Sequence, residues 1–143
     1  MVIYLDTSAL LKLYIEEEGR EVVVGVVASG ELLATSIVAY AEARAGLART
    51  WREGDFTGSE YRNAVSDLER DWSRFILIRV SERTAYHAGQ LAEQHALRGF
   101  DAIHLASALH LAERFDELGF LAFDRRLTSA ASEAGLAVYP SLE

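Results

Sequence analysis

Asp6, Glu42, Asp101 and Asp124 are carboxylates set in apolar sequence, where a charge is costly unless something offsets it. Asp6 closes the run Val2-Ile3-Tyr4-Leu5, and Asp124 closes "GFLAFD"; both end a strand-like stretch just before a helical pattern. Glu42 lies in "SIVAYAEARAGL", among Val38, Ala39, Ala41, Ala43 and Ala45. Asp101 opens "DAIHLASALHLA", a segment apolar nearly all round and therefore expected to be a buried helix. Taken singly, each acid has a structural explanation. Asp101 and Asp124 suit helix N-caps, Thr7 or Ser8 suits the cap of the first helix with Asp6 as part of the turn, and Glu42 suits a solvated helix face. Taken together, four carboxylates near one point repel one another and lose water, and a cation between them relieves both costs. An all-oxygen donor set suits a hard divalent ion such as Mg²⁺, which keeps waters and shares phosphate oxygens. That is the chemistry of metal-assisted phosphodiester hydrolysis.

The elements that must position these acids alternate along the chain. Strands are expected at Val2–Leu5, Glu31–Thr35, Phe75–Val80, Gly119–Phe123 and Leu136–Tyr139. Helices are expected from Thr7 to Glu17, Glu21 to Ala28 (its valine run also suits a strand), Ser36 to Glu53 with Ser36 as cap, and Ser59 to Ser73. Further helices are expected from Ser81 to Arg98, Asp101 to Phe115 and Arg125 to Ala134. "EGDFTG" reads as a turn, Gly99 as a break, and Gly135 as the residue after the last helix. Strands separated by helices imply crossover connections and a mainly parallel sheet covered on both faces, an α/β fold. Ligands in such folds bind beyond the carboxyl ends of the strands. Asp6 and Asp124 share that edge, and Glu42 is early in a helix that starts from it.

The 143 residues read as a single domain, 1–143, with no linker, repeat or low-complexity segment. The terminal Leu142-Glu143 is a dipeptide of the kind that cloning adds. No Cys is present, which excludes thiolate metal sites and Cys nucleophiles. No apolar run approaches a bilayer span and no signal peptide is evident, so a cytoplasmic protein without membrane association is expected. The net charge of −8 argues against nucleic-acid binding through a broad basic surface, but not against an acidic pocket that holds cations. Thirteen of the fourteen bases are Arg; eight of them (44, 49, 52, 62, 70, 74, 79 and 83) share one stretch with seven acids, which suits solvated helix faces.

The pieces "YLDTSAL", "SIVAYAEARAGL" with Glu42, "GFDAIHLASAL" with Asp101 and "LAFDRRL" with Asp124 occur in that order along the whole chain. In this the sequence resembles the PIN-domain ribonucleases, and within them the VapC toxins of toxin–antitoxin pairs. The resemblance implies a three-layer α/β/α sandwich with a central parallel sheet and an endoribonuclease dependent on Mg²⁺ or Mn²⁺. It implies a metal cage of Asp6, Glu42 and Asp101 completed by Asp124, in-line attack by a metal-bound water, and 5′-phosphate and 3′-hydroxyl products. It further implies a homodimer, inhibited by a cognate antitoxin whose C-terminal segment enters the active-site groove. The family often carries Thr or Ser two residues before the last Asp, where this chain has Ala122. Ser8 is present to meet the metal's water shell or the phosphate, and Arg125 and Arg126, which follow Asp124, are read first as surface arginines, with contact to a scissile phosphate as the alternative.

Other residues are read more plainly. His104, one turn after Asp101, is expected to be a core or hydrogen-bonded histidine, because the carboxylates already suffice for a hard metal. Tyr40, Trp51, Tyr61 and Trp72 are read first as core, with base stacking or dimer packing as alternatives. A haloacid-dehalogenase-type phosphatase needs a second Asp where Ser8 stands, and a receiver domain needs an Asp after the third strand, which here ends "RVSE". The alternative from another class is a catalytically inactive PIN-like module that binds RNA or protein.

Overall fold

The computed structural model describes residues 1–29 and 31–140, so Leu142 and Glu143 lie outside the described residues. Val2–Leu5 forms β1, every residue of it buried, as expected for a strand covered on both faces. It is followed by α1 (Thr7–Leu11), α2 (Arg20–Ala28), β2 (Leu32–Ser36), α3 (Ala39–Arg52) and α4 (Gly58–Trp72). Then come β3 (Ile76–Ile78), α5 (Glu82–His95), α6 (Gly99–Ala112), β4 (Leu118–Leu121), α7 (Arg125–Glu133) and β5 (Ala137–Tyr139). The five strands form one sheet in the order β3-β2-β1-β4-β5, and every pairing is parallel. This is the α/β sandwich expected from the alternating pattern.

The pleat sorts β1 between two layers. Val2 and Tyr4 join Ala34 and Phe120 in a core under α5, α6 and α7 that includes Leu91, Leu105 and Leu127. Ile3 and Leu5 face the other way, onto Ala9, Val23 and Leu121. A third cluster of Leu10, Tyr14, Ala43, Leu47, Ala64 and Leu68 joins α1, α3 and α4 beyond that face. In α4, Thr57 and Glu60 form a reciprocal capping box, so this helix starts on its own local signal.

Several expected boundaries move: β3 is Ile76–Ile78 rather than Phe75–Val80, β4 ends at Leu121 rather than Phe123, α6 ends at Ala112 rather than Phe115, and the shifts that follow have a local cause. The first helix ends at Leu11 rather than Glu17. Beyond it, Leu13 and Tyr14 bond back to Leu10 and Leu11, so the chain tightens into i→i−3 turns. The sequence keeps its helical spacing while the α-helix stops. The third helix starts at Ala39, because Ser36 remains in β2; Ser36 Oγ still accepts from Val38 N–H at 3.3 Å. Gly99 is not the break but the first residue of α6, and the helical run starts two residues before Asp101. The break is Ala96, which ends α5 in the left-handed region at φ 54°.

Left-handed backbone costs a residue with a Cβ roughly 1–2 kcal/mol, and Ala96 is exposed, so its methyl adds little packing. Ala96→Gly should therefore stabilise the protein by about 0.5–1 kcal/mol, the strain relieved less the entropy that Gly adds to the unfolded chain. Urea unfolding checks this: the midpoint should rise with an unchanged slope.

Candidate active site

Topology decides where the acids meet. The strand order reverses between β1 and β4, since β1 leads through α1 and α2 to β2 on one side, while β4 and β5 lie on the other. The crevice between the carboxyl ends of β1 and β4 is the switch point at which α/β proteins bind ligands. Asp6 directly follows β1, and its backbone N–H bonds to Leu121 O, the last residue of β4. Asp124 follows β4 after Ala122 and Phe123.

All four acids stand at the starts of helices. Asp6 is the N-cap of α1 and Asp124 the N-cap of α7; Glu42 and Asp101 lie in the first turns of α3 and α6. The capping explanation therefore holds for Asp124 but not for Asp101, since α6 starts after Arg98, and the cap of α1 is Asp6 rather than Thr7 or Ser8. Capping does not exhaust Asp6 or Asp124, because it uses one oxygen. Asp6 Oδ1 accepts from Ala9 N–H at 2.9 Å and from the Ser8 hydroxyl at 2.7 Å. Asp124 Oδ1 accepts from Leu127 N–H at 3.0 Å. Glu42 Oε1 accepts from the Thr7 hydroxyl at 2.5 Å and lies 3.0 Å from His104 Nε2. In each case the second carboxylate oxygen takes no hydrogen bond from the described residues.

Asp6 is almost completely buried, at 3% exposure, while the Glu42 and Asp101 side chains are partly open at 28% and 22%. Burial raises the Asp6 carboxyl above its ordinary value, and the charge of Asp101 adds to the rise. Nearby His104, Ala9 N–H and the Ser8 hydroxyl oppose it. Asp101 is raised as well, first by burial and then by Asp124 and Glu42, against Arg98, whose Nε lies 3.6 Å away. Glu42 goes the other way: burial pushes it up, but the hydrogen bonds from His104 and Thr7 outweigh that and lower it. The acids therefore sense one another, yet among the described residues no three acid or histidine side chains converge to a metal-binding cluster. The donor chemistry fits a hard cation, with uncommitted carboxylate oxygens and neither Cys nor a histidine cluster.

The other expected residues fall as follows. Ser8 spends its proton on Asp6. Arg125 and Arg126 begin α7 beside Asp124 and line a shallow pocket with Gln94, His95 and Glu133; Arg126 donates to the carbonyl of Ala96. Ala122 is fully buried in the core with Tyr4 and Phe120, so no hydroxyl is offered at this position. Trp51 is exposed and stacked on Tyr61, while Tyr40 packs edge-on against Trp72. Thr7 carries more than its sequence context suggested, since it bonds to Glu42 35 residues away. His104 is both core and hydrogen-bonded, as expected.

A cavity of about 700 Å³ opens elsewhere, between β3, α5 and α6, lined by Ile76, Ile78, Leu111 and Phe115 with Arg79 and Arg114. Glu113 is the one carboxylate in its lining and is ion-paired with Arg83, so the cavity offers no set of carboxylates for this chemistry.

Comparison with known proteins agrees with the geometry. The PIN-domain family model matches residues 3–133. Ribonuclease VapC45 of Mycobacterium tuberculosis is 38% identical over 140 residues, covering 98% of this chain and 96% of that protein. FitAcB of Neisseria gonorrhoeae has a similar structure, with a TM-score of 0.66 at 22% identity over 96% of both chains. A toxin–antitoxin complex from Klebsiella pneumoniae matches with a TM-score of 0.59 at 22% identity, over 85% of this chain and 86% of that one.

The two uses of the Asp6 carboxylate separate on substitution. Asp6→Asn keeps a capping oxygen and removes a buried charge, so without metal the variant should be at least as stable as the parent. Asp6→Ala loses the cap and should be about 1 kcal/mol less stable than Asp6→Asn. Thermal unfolding in chelator measures both. A strongly destabilised Asn variant would show that the charge itself holds the turn.

Proposed function

This chain belongs to the PIN-domain family, and on that footing we propose that it is an endoribonuclease toxin of the VapC type, dependent on Mg²⁺ or Mn²⁺ and inhibited by a cognate antitoxin. The observation that carries the reading is the common placement of Asp6, Glu42, Asp101 and Asp124. All four begin helices beside one switch point, and three of them commit one oxygen to the scaffold and leave the other uncommitted. The relative named as a ribonuclease, aligned with nearly the whole chain, supports the activity. The likeness to a toxin–antitoxin complex supports the partner. A homodimer in the cytoplasm belongs to the same reading.

Asp6, Glu42 and Asp101 would hold the cation, with Asp124 completing the set directly or through water. When bound, the cation supplies Lewis-acid polarisation of the phosphate and a water of lowered pKa for in-line attack. The chain's own part is to keep the ligands charged and aimed. Ser8 and Ala9 N–H orient Asp6, Leu127 N–H orients Asp124, and Thr7 and His104 orient Glu42. In this reading Arg125, next to Asp124, would meet a phosphate oxygen, and Arg126 would do so only with the guanidinium nitrogens not given to Ala96. The products are a 5′-phosphate and a 3′-hydroxyl.

Cleavage of total RNA by the purified protein should vanish in excess EDTA and return with Mg²⁺ or Mn²⁺; undiminished cleavage in chelator overturns the mechanism. Asp6→Asn should cost at least the ~100-fold that losing a supporting residue of a metal site can cost. A folded protein that cleaves nothing with either metal present would instead be the inactive binding module.

The antitoxin should oppose the same charges. A tail that sets an Arg or Lys among Asp6, Glu42 and Asp101 would compete with the metal for their oxygens. A peptide of that tail should bind the metal-free protein more tightly than the Mn²⁺-loaded protein in a calorimetric titration. Equal affinities would place the tail outside the carboxylates.

A further inference from the structure

His104 is a buried titratable side chain that touches Glu42 without itself belonging to the proposed ligand set. It is 1% exposed and sits on α6, one turn beyond Asp101. Its two ring nitrogens look in opposite directions. Nδ1 is 2.8 Å from the hydroxyl of Tyr4, which is itself completely buried in β1. Nε2 is 3.0 Å from Glu42 Oε1 and 3.0 Å from Thr7 Oγ1. The ring also packs edge-on against Tyr4, whose other side stacks on Phe120 at 5.6 Å and 3°. The imidazole is therefore held by ring contacts as well as by hydrogen bonds.

Counting protons sets the directions of these bonds. Thr7 gives its one hydroxyl proton to Glu42 at 2.5 Å. An ionised carboxylate has none to give, so the Glu42 contact requires a hydrogen on His104 Nε2. Tyr4 then donates to Nδ1, the tautomer in which each proton of the chain finds an acceptor. The outcome is a directed chain, Tyr4 to His104 to Glu42, with Thr7 joining at the same carboxylate oxygen. Glu42 Oε1 is thereby engaged twice, and Oε2 remains.

The three partners of this chain come from the elements that carry the other acids. Thr7 is the residue after Asp6, and His104 is three residues after Asp101. Glu42 is thus referenced to both. A free Glu side chain has several rotamers to lose on binding a ligand. Here that ordering is already done by the fold, which is how supporting residues raise the affinity of a metal site.

We propose that His104, backed by Tyr4, is a positioning residue that holds Glu42 by one oxygen so that the other is presented to the cation; this rests on the reading of Glu42 as a metal ligand. The role is distinct from ligation, because both ring nitrogens are already occupied.

Three variants test it. His104→Leu fills similar space without a donor. His104→Gln replaces Nε2–H by an amide N–H that reaches Glu42. Tyr4→Phe removes only the bond to Nδ1. Calorimetric titration with Mn²⁺ should give a dissociation constant about 10–100-fold weaker in His104→Leu, recovered in large part in His104→Gln, with Tyr4→Phe between them. Turnover of RNA should fall in parallel, with KM for RNA little changed. NMR of the metal-free proteins should show the Glu42 side chain ordered in the wild type and His104→Gln, and mobile in His104→Leu. A folded His104→Leu with unchanged Mn²⁺ affinity and an ordered Glu42 overturns the proposal, as does equal loss in the Leu and Gln variants. If His104→Leu does not fold, unchanged Mn²⁺ affinity in Tyr4→Phe overturns it. A wild type that binds no Mn²⁺ defeats the metal reading, and the NMR comparison then decides the positioning role separately.

Discussion

Keeping carboxylates charged at helix starts in apolar surroundings, with Asp6 almost completely buried, is the constraint around which this molecule is organised. Among the described residues no Lys or Arg is buried among them: Arg98 approaches Asp101 from an exposed position, and the one lysine is engaged by Glu17, which leaves His104 beside Glu42 as the buried base. What the fold supplies instead is helix N-termini. Asp6, Glu42, Asp101 and Asp124 each stand at the first cap or first turn of a different helix, where free backbone N–H groups and the helix dipole favour negative charge. A parallel sheet makes this natural for Asp6, Glu42 and Asp124, whose helices follow β1, β2 and β4 and so begin at the carboxyl edge of the sheet, while Asp101 is on α6, which follows α5 instead. Even so, Asp6 and Asp101 remain raised by burial and mutual repulsion, so the compensation is incomplete. A cation would supply the remainder.

The acids must also be brought close without being pulled into their own scaffold. Small residues allow the approach. Ala39 and Ala43 are fully buried on α3, and Ala102 and Ala106 on α6. Gly46 lets α3 lie against α1, since a Cβ there would stand 2.7 Å from Leu11 Cδ1. With α3 this near, Glu42 can meet Thr7 in the turn after β1. The division of oxygens gives stiffness while leaving one oxygen uncommitted on each of Asp6, Glu42 and Asp124.

The loop before Asp124 is anchored by a less obvious contact. Lys12 is buried against the ring of Phe123, with Nζ 4.4 Å from its centre, and bonds to Glu17 at 3.1 Å. Gly19 closes over the pair at φ 94°, where a Cβ would come within 2.8 Å of both side chains. The segment after α1 is thereby tied to the residue beside Asp124, on the face of the sheet away from α6.

The elements and the acids were legible in the sequence because both leave local marks. Burial on two faces makes β1 a continuous apolar run, amphipathic spacing marks α3, α4 and α5, and a carboxylate in apolar surroundings stands out wherever it lies. Boundaries were less legible where α-helical and 3₁₀ turns share nearly the same spacing, as after Leu11, or where a left-handed Ala96 does what a glycine usually does. The sequence by itself therefore determined that this is a parallel α/β chain with Asp6 and Asp124 ending strands at one edge of its sheet. Only the tertiary structure decided which oxygens of those acids are spent on capping, and that Thr7, His104 and Tyr4 form one hydrogen-bonded chain to Glu42. These contacts span 35, 62 and 100 residues, and a hydrogen bond depends on where two atoms finish in space, which no local pattern of residues encodes.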